Sequence, residues 1–108
     1  MEQFTMEEMQ EMQRILQDKY SHLWEPICPE TAKNKLLWMI GEIGEVIDIL
    51  KKQGGIKASE NEDLRGALVE EMCDVLMYYN DIMLCLGITT EELKASYVQK
   101  FQRNMTRC

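Results

Sequence analysis

Apolar residues recur at intervals of three and four along most of the chain, which is the spacing of amphipathic helices. Strand-like alternation, internal repeats and low-complexity tracts are absent from the sequence. The pattern predicts four helices, over residues 5–20, 30–52, 61–86 and 90–106. Because the predicted connections are short, we expect the helices to pack as antiparallel neighbours in an all-α bundle. A chain of 108 residues is the size of one domain, so residues 1–108 are predicted to form a single domain.

Capping signals support these boundaries. Gly54-Gly55 and Gly87 follow the second and third predicted helices, where glycine can adopt the left-handed conformation that ends a helix. The polar segment QGGIKASENE, residues 53–62, is predicted to be the most mobile loop. Three Ser/Thr-x-x-Glu pairs are predicted capping boxes: Thr5 with Glu8, Ser59 with Glu62, and Thr89 with Glu92.

Composition narrows the classes of partner. The net charge is −7, whereas proteins that bind a nucleic-acid polymer present a basic surface. No apolar run approaches the ~20 residues that span a bilayer, and the acidic N-terminus lacks the features of a signal peptide. We therefore expect a cytoplasmic protein with neither a nucleic-acid polymer nor a membrane as partner. No CxxC spacing is present, so we expect reduced thiols at the four cysteines, Cys28, Cys73, Cys85 and Cys108.

The segment GEIGEVIDILKK, residues 41–52, carries acids on a helix that otherwise looks buried. At 100° per residue, Glu42 lies at the edge of the apolar stripe and Glu45 lies 60° from it. Asp48 lies 120° from Glu42, which suits an outlying position or an ion pair with a lysine. The apolar stripe itself is predicted to be a core face made of Leu36, Met39, Ile43, Val46, Ile47 and Leu50.

The third predicted helix repeats this arrangement in LVEEMCDVLMYYNDIM, where Glu71 and Asp74 lie 60° apart at the edge of another apolar stripe. Acids commonly flank the apolar stripe of an amphipathic helix. Two matched pairs would nevertheless repel each other if the helices pack together, unless they share protons or bind a cation. Carboxylate oxygens suit Mg²⁺ or Mn²⁺, and we favour the cation. Gly41 and Gly44 either allow a close approach to the backbone or are simply tolerated.

The paired motif Glu42-x-x-Glu45 and Glu71-x-x-Asp74, with 25 residues between its halves, resembles the signature of the MazG-like nucleoside triphosphate pyrophosphohydrolases of the all-α NTP pyrophosphatase superfamily. The resemblance runs from about Lys33 to Arg107. It implies that the four carboxylates hold Mg²⁺, with Mn²⁺ as an alternative. It also implies hydrolysis of a nucleoside triphosphate between its α- and β-phosphates, which gives a nucleoside monophosphate and pyrophosphate.

The same resemblance implies a homo-oligomer, a dimer or a dimer of dimers, in which helix pairs from two chains complete a four-helix core. The long apolar stripes and nine methionines are consistent with such an additional buried surface. Glu42 is our candidate for orienting or deprotonating the attacking water, because its expected partial burial suits a general base. Which carboxylate does so is left open by the sequence, as is the choice between dimer and tetramer.

Several further residues are predicted to bind the substrate. Lys100, Asn104 and Arg107 align on the last helix and match a family pattern that serves the phosphates or the sugar, although a solvated basic face is the alternative. Aromatic residues at helical spacing are also often core residues. Lys52 stands where the dCTP-like branch of the family frequently has an aromatic residue, so the preferred base and sugar are left open. The substrate can also be a normal or a damaged nucleotide. The remaining predicted substrate contacts are Asn34, Trp38, Lys52 and Tyr78.

A second class of function is a non-catalytic helical module that binds a partner protein through a methionine-rich face. In that hypothesis the acids only increase solubility, and no saturable binding of Mg²⁺ is expected.

Overall fold

The computed structural model describes residues 3–107 of the chain. They form an all-α structure with no strand in that range, as the apolar periodicity predicts. The helices are α1 (Met6–Lys19), α2 (Ala32–Gln53), α3 (Gly55–Glu60), α4 (Glu62–Leu86) and α5 (Thr90–Thr106), and a 3-10 turn over Pro29–Thr31 precedes α2. The four predicted helices are confirmed within about two residues at each end.

Two predicted helix starts are confirmed by their capping contacts. Thr89 Oγ1 accepts a hydrogen bond from the Glu92 amide, and Glu92 Oε1 accepts one from the Thr89 amide, both at 3.1 Å. Thr5 Oγ1 accepts from the Glu8 amide at 3.2 Å. Gly87 ends α4 in the left-handed region at φ 65°, which a residue with a Cβ adopts only at a cost.

The predicted loop at 53–62 is wrong, because six of its residues form α3. For the same reason, the predicted capping box at Ser59 is also wrong. Ser59 lies inside α3, where its hydroxyl donates to the Ile56 carbonyl at 2.8 Å. The residue that caps α4 is Asn61, whose Oδ1 accepts from the Leu64 amide at 3.0 Å. The extra helical turn thus moves the cap two residues along the chain.

The α2–α4 pair forms the body of the fold. The two helices are antiparallel and are joined by α3. Helix α1 packs on α4, whereas α5 contacts α1 alone among the described elements. Within the described residues, Cys28, Cys73 and Cys85 are free thiols, whereas the prediction for Cys108 lies outside them. No helix in this part of the chain combines the length and apolarity needed to cross a membrane.

The chain buries little of its apolar surface by itself. Among the described residues, the buried apolar side chains are Ala32, Ala58, Met83 and Cys85, at 0–6% exposure. The accessible surface is 8398 Å², whereas a compact monomer of 12.7 kDa exposes about 6,200 Å². The radius of gyration of 16.3 Å likewise exceeds the ~13 Å expected for a compact chain of this length.

The predicted core face of α2 is corrected by these exposures. Met39 and Val46 are half-buried, but the other predicted members of that face are exposed. We define the α2 stripe as five residues spaced four, three, four and three apart and 37–60% exposed: Leu36, Ile40, Ile43, Ile47 and Leu50. The α4 stripe is exposed as well and comprises Val69, Met72 and Leu76, which are 46–53% exposed. Each stripe is apolar and lacks a cover within the described chain.

Candidate active site

Three carboxylates meet where α2 and α4 cross. Glu42 and Glu45 lie three residues apart on α2, so both point from the same face of the helix toward α4. Glu71 of α4 meets them, and one carboxylate oxygen from each residue lies within 4.8 Å of the other two. We call Glu42, Glu45 and Glu71 the acidic cluster. Three of the four predicted metal ligands are therefore brought together by the fold.

The closeness of the three carboxylates raises the pKa values of two of them. A hydrogen bond to the Glu71 carboxyl, followed by that group's negative charge, raises the pKa of Glu45. The pKa of Glu71 is raised chiefly by its hydrogen bond to Glu42 and then by desolvation. When all three are ionised, Glu71 Oε2 is buried with no hydrogen-bond partner among the described residues. The site therefore needs either a shared proton or a cation.

A hard divalent cation fits this donor set. All of the clustered donors are carboxylate oxygens, the ligands that Mg²⁺ and Mn²⁺ prefer, and the buried Glu71 Oε2 has no hydrogen-bond partner among the described residues. Asp74, the fourth predicted ligand, lies outside the 4.8 Å group. Its charge nevertheless raises the pKa of both Glu45 and Glu71, so it lies near the cluster.

The acidic cluster is one end of a longer series of facing residues on α2 and α4. From Glu45 the series steps back along α2 by three, four and three residues, and from Glu71 it steps forward along α4 by the same intervals. On antiparallel helices, equal and opposite steps keep residues level with one another. On this spacing the four levels are Glu45 with Glu71, Glu42 with Asp74, Trp38 with Tyr78, and Lys35 with Asp81. The first pair meets in the acidic cluster, and the residues of the other three levels line one cavity.

A cavity of about 630 Å³ runs along the last three of these levels and opens to solvent. Glu42 and Asp74 line its acidic end, and Trp38 and Tyr78 line its middle. Trp24, which stacks on Tyr20 with ring centroids 4.6 Å apart, lines another wall. A nucleotide-sized cavity (300–1,000 Å³ is usual for ligand pockets) thus continues directly from the acidic cluster.

Tyr78 stands between acids on both sides. Burial, followed by the negative charges of Glu42, Asp81 and Asp74, raises the pKa of its phenol. The hydroxyl therefore keeps its proton at neutral pH and is available as a hydrogen-bond donor in the cavity. Its predicted place beside a substrate is compatible with this geometry.

The far end of the cavity holds polar residues that the sequence did not single out. Asp81 is 2% exposed, and its Oδ1 accepts hydrogen bonds from Gln13 Nε2 at 2.8 Å and Gln17 Nε2 at 3.0 Å. Lys35 lines the same end and is 7% exposed. Burial raises the pKa of Asp81, and these two amides and the charge of Lys35 oppose that rise. The seven-residue spacings from Glu42 and Asp74 could have indicated Lys35 and Asp81, but nothing local indicates the glutamines.

Two other predicted substrate contacts lie at the margin of the site. Asn34 Nδ2 donates to both carboxylate oxygens of Glu25, at 3.0 and 3.1 Å, beside the rim of the cavity. Lys52 pairs with Asp48 at 3.0 Å on an exposed surface, which agrees with the lysine-pairing role expected for Asp48. Substrate contacts by Asn34 and Lys52 stay predictions.

The three predicted contacts on α5 are not brought to the acidic cluster within one chain. Lys100, Asn104 and Arg107 are all exposed, and α5 contacts α1 but neither α2 nor α4. Their part in substrate binding stays a prediction.

The glycines of α2 face open space. A Cβ built at Gly41 or Gly44 would meet no atom within 4 Å, apart from the neighbouring helix backbone. No element of the described chain therefore makes the close approach considered for them, and both explanations from the sequence stay open.

Comparison with known proteins gives one match. The family model described as the MazG nucleotide pyrophosphohydrolase domain matches residues 30–108. Neither the curated proteins nor the solved structures gave a match to the chain. The matched segment contains all three residues of the acidic cluster together with Asp74.

Proposed function

The chain belongs to the MazG nucleotide pyrophosphohydrolase domain family, and from that premise we propose that it is an Mg²⁺-dependent nucleoside triphosphate pyrophosphohydrolase. The proposed reaction converts a (deoxy)nucleoside triphosphate and water into the monophosphate and pyrophosphate. The observation that carries the proposal is the continuity of the acidic cluster with the cavity between α2 and α4. We also propose a role in clearing unwanted nucleotides, and the cytoplasmic location expected from the sequence stays a prediction.

In this proposal, Glu42, Glu45, Glu71 and Asp74 hold Mg²⁺, or Mn²⁺ in its place. When bound, the cation would neutralise the charge of the triphosphate and polarise the α-phosphorus. We assign to Glu42 the role of orienting or deprotonating the attacking water. Glu42 is half-buried and belongs to both the acidic cluster and the wall of the cavity, so its carboxylate can orient or deprotonate a water beside the substrate.

The remaining residues of the chain bind and orient the substrate. Trp38 and Tyr78 stand one level beyond Glu42 and Asp74, where aromatic faces can stack on a sugar or base. The protonated Tyr78 hydroxyl can donate to a substrate oxygen. These contacts hold the nucleoside while its α-phosphate lies at the acidic end.

We further propose that the working protein is a homo-oligomer, a dimer or a dimer of dimers. The α2 and α4 stripes give each α2–α4 pair an apolar surface that another such pair can cover, which would complete a four-helix core. The surface that exceeds that of a compact monomer, about 2,200 Å², is in the range buried by stable interfaces. In such an assembly, α5 of one copy could lie beside the cavity of another copy and bring Lys100, Asn104 and Arg107 to its substrate.

The test is pyrophosphate release from a panel of NTPs and dNTPs with Mg²⁺, for the wild type and two matched variants. Glu71→Gln removes one carboxylate of the cluster, whereas Glu70→Gln makes the same change at the adjacent exposed residue. We expect Glu71→Gln to lower the rate more than about a hundredfold, since even residues that only support metal ligands contribute 10–100-fold. Glu70→Gln should stay close to the wild type.

Isothermal titration with Mg²⁺ separates this function from a helical interaction module. The enzyme should show saturable binding that Glu71→Gln weakens, whereas the module predicts none. Pyrophosphate release that is unchanged by Glu71→Gln for every substrate would refute the proposed mechanism.

A further inference from the structure

The end of the cavity opposite the acidic cluster contains two buried charged residues with unused bonding capacity. Both hydrogen bonds from the glutamines go to Asp81 Oδ1, and Asp81 Oδ2 accepts none from the described residues. Lys35, although 7% exposed, forms neither an ion pair within 4 Å nor a hydrogen bond in the described part of the chain. Neither Asp81 Oδ2 nor Lys35 Nζ is among the buried polar atoms that lack a partner, so these two ends of otherwise buried side chains remain accessible from the cavity that both residues line. A ligand in the cavity can therefore bond to both of them.

The position of this pair suits the base of a nucleotide. Lys35 lies seven residues before Glu42 and Asp81 seven residues after Asp74, which places them about 10 Å along the helices from the acidic end. Trp38 and Tyr78 occupy the level between. A nucleoside whose α-phosphate is near the carboxylates can lay its sugar and base along the aromatic level and present its far edge to Asp81 and Lys35.

The acceptor of Asp81 and the donor of Lys35 together match the hydrogen-bonding edges of some bases and not of others. Asp81 Oδ2, which the glutamines leave free, is an acceptor, whereas Lys35 is a donor. Cytosine and adenine each place an amino group beside a ring nitrogen that carries no proton, which complements an acceptor next to a donor. Uracil and thymine carry a carbonyl oxygen and an N–H at the same two positions, so acceptor would face acceptor and donor would face donor.

We propose that Asp81 and Lys35 form a base-selecting site that favours nucleotides with an amino group beside an unprotonated ring nitrogen, as in cytosine and adenine, over those of uracil and thymine. The inference rests on the proposed function, because it places the nucleotide in this cavity. Gln13 and Gln17 are positioning residues, since they hold Asp81 with its second oxygen free. No catalytic role is assigned to any of the four.

The experiment uses dCTP and dUTP, which differ only at the base edge in question. The ratio of their kcat/KM values is measured for the wild type, Asp81→Asn, Lys35→Met and the control Asp18→Asn on the exposed surface of α1. Asp81→Asn keeps the oxygen that accepts from the glutamines and replaces the free oxygen with a donor. We expect the wild type to favour dCTP at least tenfold, as for one hydrogen bond to a charged group.

In Asp81→Asn the ratio should fall at least tenfold, toward or past equality, and Lys35→Met should lower it as well. Asp18→Asn should leave it unchanged. A merely structural role for Asp81 would reduce turnover of both substrates together and leave their ratio intact. Lys35→Met provides the second variant if circular dichroism shows that Asp81→Asn does not fold.

Binding of the nucleosides deoxycytidine and deoxyuridine to the metal-free protein, followed by ¹⁵N–¹H NMR, separates this inference from the proposed function. Both tryptophans, Trp24 and Trp38, line the cavity, so their indole N–H signals report on it. A preference for deoxycytidine that Asp81→Asn removes supports the base-selecting site even if no triphosphate is hydrolysed. Equal affinity for the two nucleosides, or a preference that neither variant changes, overturns it even if pyrophosphate is released.

Discussion

The substitution Ile47→Asp tests whether the uncovered apolar surface is an interface between copies of the chain. Ile47 lies on the α2 stripe and is 57% exposed in the single chain. Because its side chain is largely in water already, an aspartate there should cost the isolated fold little. If a second copy covers the stripe, the same aspartate would have to be buried in an apolar contact.

The size of the effect follows from the exposed fraction. Complete burial of an isoleucine side chain contributes about 1.5–3 kcal/mol, so the remaining 57% is worth about 1–2 kcal/mol in each protomer. A symmetric dimer contains the contact twice. Burial of an unpaired carboxylate adds a further cost of several kcal/mol. We therefore expect the dissociation constant to rise more than about a hundredfold, which corresponds to about 3 kcal/mol.

Sedimentation velocity measures this directly. The chain has a mass of 12.7 kDa, and a dimer has twice that mass, 25.4 kDa. We expect the wild type at 25.4 kDa or a multiple of it and Ile47→Asp shifted toward 12.7 kDa. Ile15→Asp on α1 is the control, because Ile15 is 60% exposed and lies outside both stripes. A monomeric wild type, or an Ile47→Asp protein that assembles like the control, would refute the reasoning.

Two further predictions concern the acidic cluster and the start of α4. The raised pKa values of Glu45 and Glu71 mean that the folded, metal-free protein binds protons more tightly than the unfolded chain, so its Tm should fall as the pH rises from about 4.5 through the folded-state pKa values. Saturating Mg²⁺ or Glu71→Gln should reduce this slope, and an equal slope with and without Mg²⁺ would contradict the assignment. Asn61→Ala should lower the free energy of unfolding by about 1 kcal/mol in urea denaturation, because it removes the cap of α4. Ser59→Ala should have a smaller effect, and the reverse order would contradict the observed cap.

Local sequence signals predicted most of the helices and the candidate ligands. The apolar spacing gives helices because a 3.6-residue period places apolar side chains on one face. Likewise, Glu42 with Glu45 and Glu71 with Asp74 share a face because three residues turn the helix by about 300°. What failed was the boundary at Ser59. A capping motif expresses only a local preference. The Ser59 hydroxyl donates to a carbonyl inside α3 instead, and Asn61 caps α4.

The helical class, the two matched acid pairs and the resemblance to a metal-dependent family all follow from the amino-acid sequence alone. Which residues share a level across α2 and α4 became clear only from the folded chain, because register depends on how two distant segments pack. The tertiary structure brought Glu71 to Glu42 and Glu45, left Asp74 at the edge of the cluster and placed Gln13 and Gln17 of α1 on Asp81, 68 and 64 residues away in sequence. It also revealed that the predicted core face of α2 is uncovered, since periodicity identifies an apolar face but not the surface that covers it.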